Sequence, residues 1–412
     1  MADFRKTVKL GDLSSARGVR ECLQWFTREK QWITEHQIQL CRVPAPTFLE
    51  RERAQWMLDQ FKSCGCDASI DPAGNVVAFP EPGAAGPYVA LTAHLDTVLA
   101  PRRPEEIYVD SGGRVCGPGV SDNGAGLAAL IAVARALRSS PGIADCHRKL
   151  VLVANVGEEG EGNLSGMRYL CRQSPLAPKI AAFLVLDGAT TSHITCQALG
   201  SRRFELSFTG PGGHSWSDFG IGNPVHALGR AIAFFAETRV NGAPRASYSF
   251  GMVEGGTSIN SIAASARAKV DIRSESEEKI EELVEGLSVA ATRAEDAENE
   301  RATGGKVSAK LREIGTRPAG KLADDAVILP YLRAVDAHLG IRSYLDCAST
   351  DANIPLSLGI PALSIGAGGN GGGAHTAQEW FHPDGRDLGL KRIFLTICLL
   401  LRDSNGQLPP SR

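Results

Sequence analysis

The sequence predicts an α/β fold with a mostly parallel sheet, interrupted midway by an α+β insertion. Short runs rich in Val, Ala and Leu recur at 75–79, 88–93, 149–156, 181–186 and 361–366. They are nearly continuous in apolar character, as strands buried on both faces are. Helical segments alternate with these runs, the signature of a parallel-sheet domain. From Ser201 the rhythm changes to alternation, as in Arg203-Phe-Glu-Leu-Ser-Phe-Thr and Ala266-Arg-Ala-Lys-Val-Asp-Ile-Arg. That is the pattern of half-buried antiparallel strands.

The elements follow in order. Residues 15–43 mix Trp25, Phe26, Trp32, Ile33 and Ile38 with charge at helical spacing, stopped by Pro44 and Pro46. Residues 122–138 read as a largely buried helix whose first turn carries Asp122, and 392–401 as a closing helix. Within the insertion, Asn223-Pro224 opens a helix over 223–239, and 275–300 is a charged helix that packs one narrow stripe. The expected organisation is a first catalytic part at 1–199, the insertion at 200–315, a second catalytic part at 316–403 and a flexible tail at 404–412. A chain of 412 residues suits two domains.

Composition narrows the function. Hydrophobic content of 43% with 22% charged residues is that of a globular protein, and a net charge of −2 argues against nucleic acid or an anionic membrane as partner. The ten cysteines are scattered, matching neither a zinc ribbon nor a disulfide framework, so free thiols in a reducing compartment are expected. Neither a signal core nor a run of transmembrane length is visible. The expected location is the cytoplasm.

Five acidic or imidazole clusters sit just after apolar runs: His94-Leu-Asp96, Asp122 in Gly-Val-Ser-Asp-Asn-Gly, Glu158-Glu159, Asp187, and His375 in a glycine-rich loop. Strand ends are where the reactive groups of open α/β sheets collect. Imidazoles and carboxylates without cysteine suit zinc and related divalent ions, and there are ligands enough for two. Asp122 is the natural bridge, since one carboxylate can offer an oxygen to each ion. In Glu158-Glu159 one carboxylate can bind metal while its neighbour serves as general base, with Gly157 and Gly160 letting the backbone turn. Asp96, two residues after His94, can orient that imidazole. No basic, phosphate-cradling loop accompanies these groups, which disfavours a phosphatase or nuclease.

This order of motifs resembles the two-zinc exopeptidase family, which includes peptidase T, carnosine dipeptidases, glutamate carboxypeptidase and aminoacylase, over about residues 85 to 385. The resemblance implies a zinc-exopeptidase catalytic domain with an inserted lid domain that mediates dimerisation. It implies that His94, Asp122 and Asp187 hold one metal and Asp122, Glu159 and His375 the other. Zinc is expected, with cobalt or manganese as alternatives. Glu158 would activate a metal-bridging water for attack on an amide carbonyl and pass the proton to the leaving amine, with Asp96 in support. Pro211-Gly-Gly-His214-Ser-Trp resembles the segment whose histidine stabilises the oxyanion. Asn260 and Arg273 resemble substrate-contacting positions.

Asp at 187 and the run from Ser349 to Gly366 look most like peptidase T-type members, which implies an aminopeptidase of the di- or tripeptidase kind acting as a homodimer. The alternatives are an N-acyl amino acid deacylase or carboxypeptidase on the same scaffold, and more distantly a non-catalytic binding protein with a peptidase fold. Ser349-Thr350-Asp351 and Asn353 receive no role.

Overall fold

A computed structural model describes residues 10–83, 85–139 and 146–403. The segment 404–412, expected as a tail, and the amino-terminal Met1–Lys6 lie outside the described residues. The chain forms two compact units: the part up to Gln197 together with that from Lys321 onward, and Ala198–Gly320 between them. The second unit is slightly wider than 200–315, because its last long strand, Ser308–Arg317, runs past residue 315.

The first unit is built on a nine-stranded mixed sheet. At its centre Lys149–Asn155, Tyr88–His94, Ile180–Leu186 and Ala362–Ile365 lie parallel in that order. Tyr88–His94 and Ile180–Leu186 are buried at every residue, which explains why neither shows polar alternation. The flanks are antiparallel: Val76–Phe79 and then Asp67–Ile70 on one side, His193–Ala198 on the other. The expected parallel sheet is thus its core; of the antiparallel edges, Asp67–Ile70 and Val76–Phe79 form a hairpin, while Val76–Phe79 and His193–Ala198 join the core through long-range pairings.

Helices Gly124–Ser139 and Arg386–Arg402 are buried along most of their length. Each Leu or Ile removed from water in this way contributes roughly 1.5–3 kcal/mol. Gly126 lets the first of these helices approach the sheet, since a Cβ there would lie 3.1 Å from Ala93 Cβ. The helix expected over 15–43 is two helices, Arg17–Arg28 and Lys30–Cys41, preceded by a short one at Leu10–Ser15. Glu29 leaves helical geometry, and the break accompanies an edge-on packing of Trp25 against Trp32 at 5.5 Å. The helix expected over 122–138 starts at Gly124, so Asp122 precedes it rather than occupying its first turn.

The second unit is a four-stranded antiparallel sheet in the order Ala246–Gly255, Ser265–Ser274, Gly200–Thr209, Ser308–Arg317. Helices Pro224–Ala236 and Glu277–Arg301 are capped by the Asn223 and Ser276 side chains, which accept from Val225 and Lys279 N–H groups. Ile280, Leu283 and Leu287 form the narrow stripe by which the charged helix packs beside Phe204, Val270 and Ile272. Among the described residues, no helix is long and apolar enough to cross a membrane.

Candidate active site

Three of the five clusters emerge from adjacent central strands. His94 closes its strand in register with Asn155, Glu158 and Glu159 follow the turn after Asn155, and Asp187 directly follows Leu186. Asp122 and His375 arrive differently. They flank a small antiparallel sheet of Tyr108–Val109, Val115–Cys116, Trp380–His382 and Asn370–Gly372, with His375 in the loop joining the last two strands at φ 64°. Strand-end placement therefore accounts for His94, the glutamate pair and Asp187, but not for Asp122 and His375.

The six side chains converge. Asp122 Oδ1 lies 3.1 Å from His94 Nε2 and Asp122 Oδ2 lies 3.2 Å from His375 Nε2. His375 Nε2 is also 3.1 Å from Glu159 Oε1. Ligand atoms of His94, Asp122 and Asp187 lie within 4.8 Å of one another, and so do those of Asp122, Glu159 and His375. A third such group comprises His94, Glu158 and Glu159. Asp122 belongs to the first two groups and turns one oxygen toward each imidazole.

The turn bearing the glutamate pair is fixed through its backbone. Four consecutive N–H groups are captured by buried side chains: Val156 by Asn75 Oδ1 at 3.0 Å, Gly157 by Glu50 Oε1 at 3.2 Å, and Glu158 and Glu159 by the two oxygens of Asp96 at 2.9 Å each. Thr47 adds its hydroxyl to Asp96 Oδ2 at 3.0 Å. Gly157 adopts φ 66°, and a Cβ there would meet Ser165 Oγ at 2.1 Å. Asp96 thus has a second task beside its expected one. Its backbone carbonyl contacts His94 Nδ1 at 3.0 Å and its carboxylate lies 3.6 Å from the same nitrogen, so Asp96 both partners the imidazole and sets the Glu158-Glu159 turn.

The Asp122 loop is held in the same manner by Glu379. Its carboxylate accepts from the N–H groups of Gly119, Ser121 and Asp122, each at 2.8 Å. Asn123 Nδ2 donates to Leu186 O at 2.8 Å, joining this loop to the strand that ends before Asp187. Glu379, Glu50, Asn75 and Thr47 were not singled out from the sequence; each supports the site through backbone or shell contacts that leave no motif. Asp351, given no role, is buried and accepts from Asn155 Nδ2 at 2.7 Å.

Electrostatics show what this cluster is built for. Burial and the neighbouring charge of Glu158 push Glu159 up to about 7. Burial and Asp122 raise Asp187 well above the usual carboxylate range, and burial with the Glu158 charge raises Asp351 to about 7. Asp122 goes the other way: burial opposes its charge, but hydrogen bonds from His375 and His94 hold it well below the ordinary range. Crowded carboxylates that repel one another, interleaved with two imidazoles and no thiolate, are a donor set for divalent cations of the zinc type.

A pH dependence follows. The hydrogen bond to Asp122 pushes His375 up to about 9, burial opposing it, so without metal the ring carries a proton at pH 7. Metal requires the neutral ring. Loading a divalent ion at pH 7 is therefore expected to release protons, and affinity to rise with pH until about 9, where the ring is no longer protonated. Calorimetric titration in two buffers of different protonation enthalpy measures this; identical heats in both would refute it.

In the second unit His214 and Asn260 lie together. The strands Gly213–His214 and Ser261–Ile262 pair, and Ser215 N donates to Asn260 O at 3.0 Å. His214 Nδ1 accepts from Trp216 N at 3.2 Å and Ser217 N at 3.4 Å, which places the ring proton on Nε2 as an outward donor. Arg273 is not brought to these loops. It lies near the other end of Ser265–Ser274, roughly 25 Å along the strand, with Nε 2.6 Å from Asp271 Oδ2.

Comparisons with known proteins agree with this architecture. Residues 75–207 match the sequence model of peptidase family M28, and residues 198–297 match that of a peptidase dimerisation domain. Over these two segments the chain is similar to metallopeptidases that pair a catalytic domain with a dimerisation domain. A candidate LysW-lysine/LysW-ornithine hydrolase of Pyrobaculum aerophilum is 31% identical over 176 residues. That alignment covers 43% of this chain and 46% of the relative, so it spans about half the length of the protein it matches.

Three solved structures share the fold. A Staphylococcus aureus tripeptidase has TM-score 0.74 at 20% identity, covering 91% of this chain and 99% of that one. Aminopeptidase PepT of Bacillus cereus has TM-score 0.70 at 19% identity, covering 90% and 98%. The Bacillus subtilis YXEP protein, a dinuclear metal-binding peptidase, has TM-score 0.66 at 17% identity, covering 92% and 99%.

Proposed function

We propose that the chain is a two-metal amide hydrolase that removes amino-terminal residues from short peptides, with Glu158 as general base. The observation that carries this reading is Asp122, whose two oxygens face two separate imidazoles, each accompanied by a further carboxylate. His94, Asp122 and Asp187 would hold one ion, and Asp122, Glu159 and His375 the other. Divalent ions held by these residues, zinc by the donor chemistry, would supply Lewis-acid polarisation of a carbonyl and acidification of a water.

The chain's own groups do the rest. Of the glutamate pair, Glu159 stands within hydrogen-bond distance of His375 and fits the ligand role. Glu158, on the same rigid turn and grouped with His94, is placed to take a proton from the attacking water and return it to the leaving amine. Asp96 positions both carboxylates through their backbone N–H groups. His214, with its Nε2 proton directed outward, is suited to donate to an oxyanion. His214→Ala is accordingly expected to lower kcat about 10²–10³-fold with bound metal unchanged, read by steady-state kinetics beside metal analysis. Unaltered kinetics would leave His214 a loop residue.

The substrate assignment rests on Asp187 and on the peptidase names of the fold relatives, tripeptidase and aminopeptidase among them. The dimerisation-domain match supports a homodimer. A second reading, N-acyl amino acid deacylase or carboxypeptidase action on the same scaffold, is supported by the name of the Pyrobaculum relative, a LysW-lysine/LysW-ornithine hydrolase. Hydrolysis of a free tripeptide beside its amino-acetylated twin separates the two. Cleavage of the free peptide alone, at its amino-terminal bond, is the expected result; release of acetate, or attack from the carboxyl end, would transfer the protein to the second reading.

A further inference from the structure

Four large apolar side chains stand in solvent on two segments that also build the metal centre. Phe48 and Leu49 are 66% and 69% exposed, and Val98 and Leu99 are 43% and 42% exposed. Their neighbours are fixed to the site. Thr47 donates to Asp96 Oδ2, and Glu50 accepts from Gly157 N. Asp96 in turn accepts from the Glu158 and Glu159 N–H groups. The two segments are tied side by side by the parallel bridge of Pro46 with Thr97 and by the hydrogen bond from Thr97 N to Ala45 O at 3.0 Å.

The backbone at Phe48 is as informative as its exposure. Leu49 N donates to Pro46 O at 2.8 Å, which makes 46–49 a β-turn, and Phe48 has φ 75°. Positive φ at the third position of such a turn is the conformation that glycine supplies in a type II turn. A bulky aromatic residue there is an outlier. Its ring is largely in water, so burial does not repay the strained conformation. Strain of this kind collects at ligand-binding positions.

We infer that Phe48 and Leu49, with Val98 and Leu99 beside them, form an apolar wall that receives the side chain of the substrate's amino-terminal residue, giving the enzyme a preference for peptides that begin with a large apolar residue. The inference rests on the aminopeptidase reading above. The occupant is chosen by continuity: the wall is carried on residues hydrogen-bonded directly to the Glu158-Glu159 turn, where the scissile amide must lie. Ligand pockets combine such apolar lining with a few fixed polar groups.

The test compares metal-loaded wild type with Phe48→Gly and Leu49→Ser on Leu-Gly-Gly, Gly-Gly-Gly and Asp-Gly-Gly. Wild type is expected to favour Leu-Gly-Gly. In each variant the ratio of kcat/KM for Leu-Gly-Gly over Gly-Gly-Gly should fall about tenfold. Phe48→Gly should also raise Tm, because glycine accepts φ 75° and little ring burial is lost. This variant guards against loss of folding being mistaken for loss of selectivity. Selectivity unchanged in both variants, or a wild type that prefers Gly-Gly-Gly or Asp-Gly-Gly, would overturn the wall. Failure of wild type to cleave any free peptide would instead remove the aminopeptidase reading on which it stands.

Discussion

Glu158→Gln is expected to lower kcat by about 10²–10⁴-fold, the usual contribution of a positioned general base, while the metal complement stays intact. Both halves of that outcome come from geometry. The backbone N–H groups of Glu158 and Glu159 are held by Asp96, so exchanging one side chain for its amide leaves the turn and Glu159 where they are. Gln keeps the size of Glu but has no carboxylate to take a proton. Metal analysis beside steady-state kinetics checks both. A variant that lost metal along with activity would make Glu158 a ligand, in line with its grouping with His94 and Glu159.

Asp122→Ala is expected to have the opposite signature. A residue that serves both candidate ligand groups cannot be removed from one alone, so affinity for both ions should fall together and activity with them. The loss should exceed the roughly 10–100-fold that removal of an outer-shell partner costs. Equilibrium dialysis against a divalent ion measures it. Retention of one tightly bound ion would mean that Asp122 does not bridge.

These expectations owe much to what was legible in the chain, and something to what was not. The central strands declared themselves because burial on both faces leaves unbroken apolar runs, as at Tyr88–His94 and Ile180–Leu186. His94, the glutamate pair and Asp187 were visible because each directly follows such a run. Of the antiparallel flanks, 75–79 showed as such a run although its direction did not, whereas Asp67–Ile70, short and mostly exposed, left no signal. The break at Glu29 was also hidden, because helical spacing continues across it and only the meeting of Trp25 with Trp32 marks the change.

The support of the site was the least legible part. Glu379 reaches back to the Asp122 loop, and Asn75 and Glu50 reach forward to the Glu158 turn, over sequence separations no local pattern spans. A carboxylate that holds backbone N–H groups looks, in sequence, like any surface charge. Asp96 was legible only in part. Its spacing from His94 suggested a partner for the imidazole, which its carboxylate approaches to 3.6 Å, but its hold on the Glu158-Glu159 turn left no local pattern. Arg273 was drawn from resemblance alone, and the length of its own strand separates it from the His214 loop.

The central claim is that Asp122 joins two divalent-ion sites in one chain. Titration of the metal-free protein with zinc, following ions bound per chain together with tripeptide hydrolysis, tests it most directly. Two ions bound per chain, with full activity reached only as the second site fills, is the predicted result. Saturation at a single ion, or hydrolysis that survives complete removal of metal by a chelator, would contradict it.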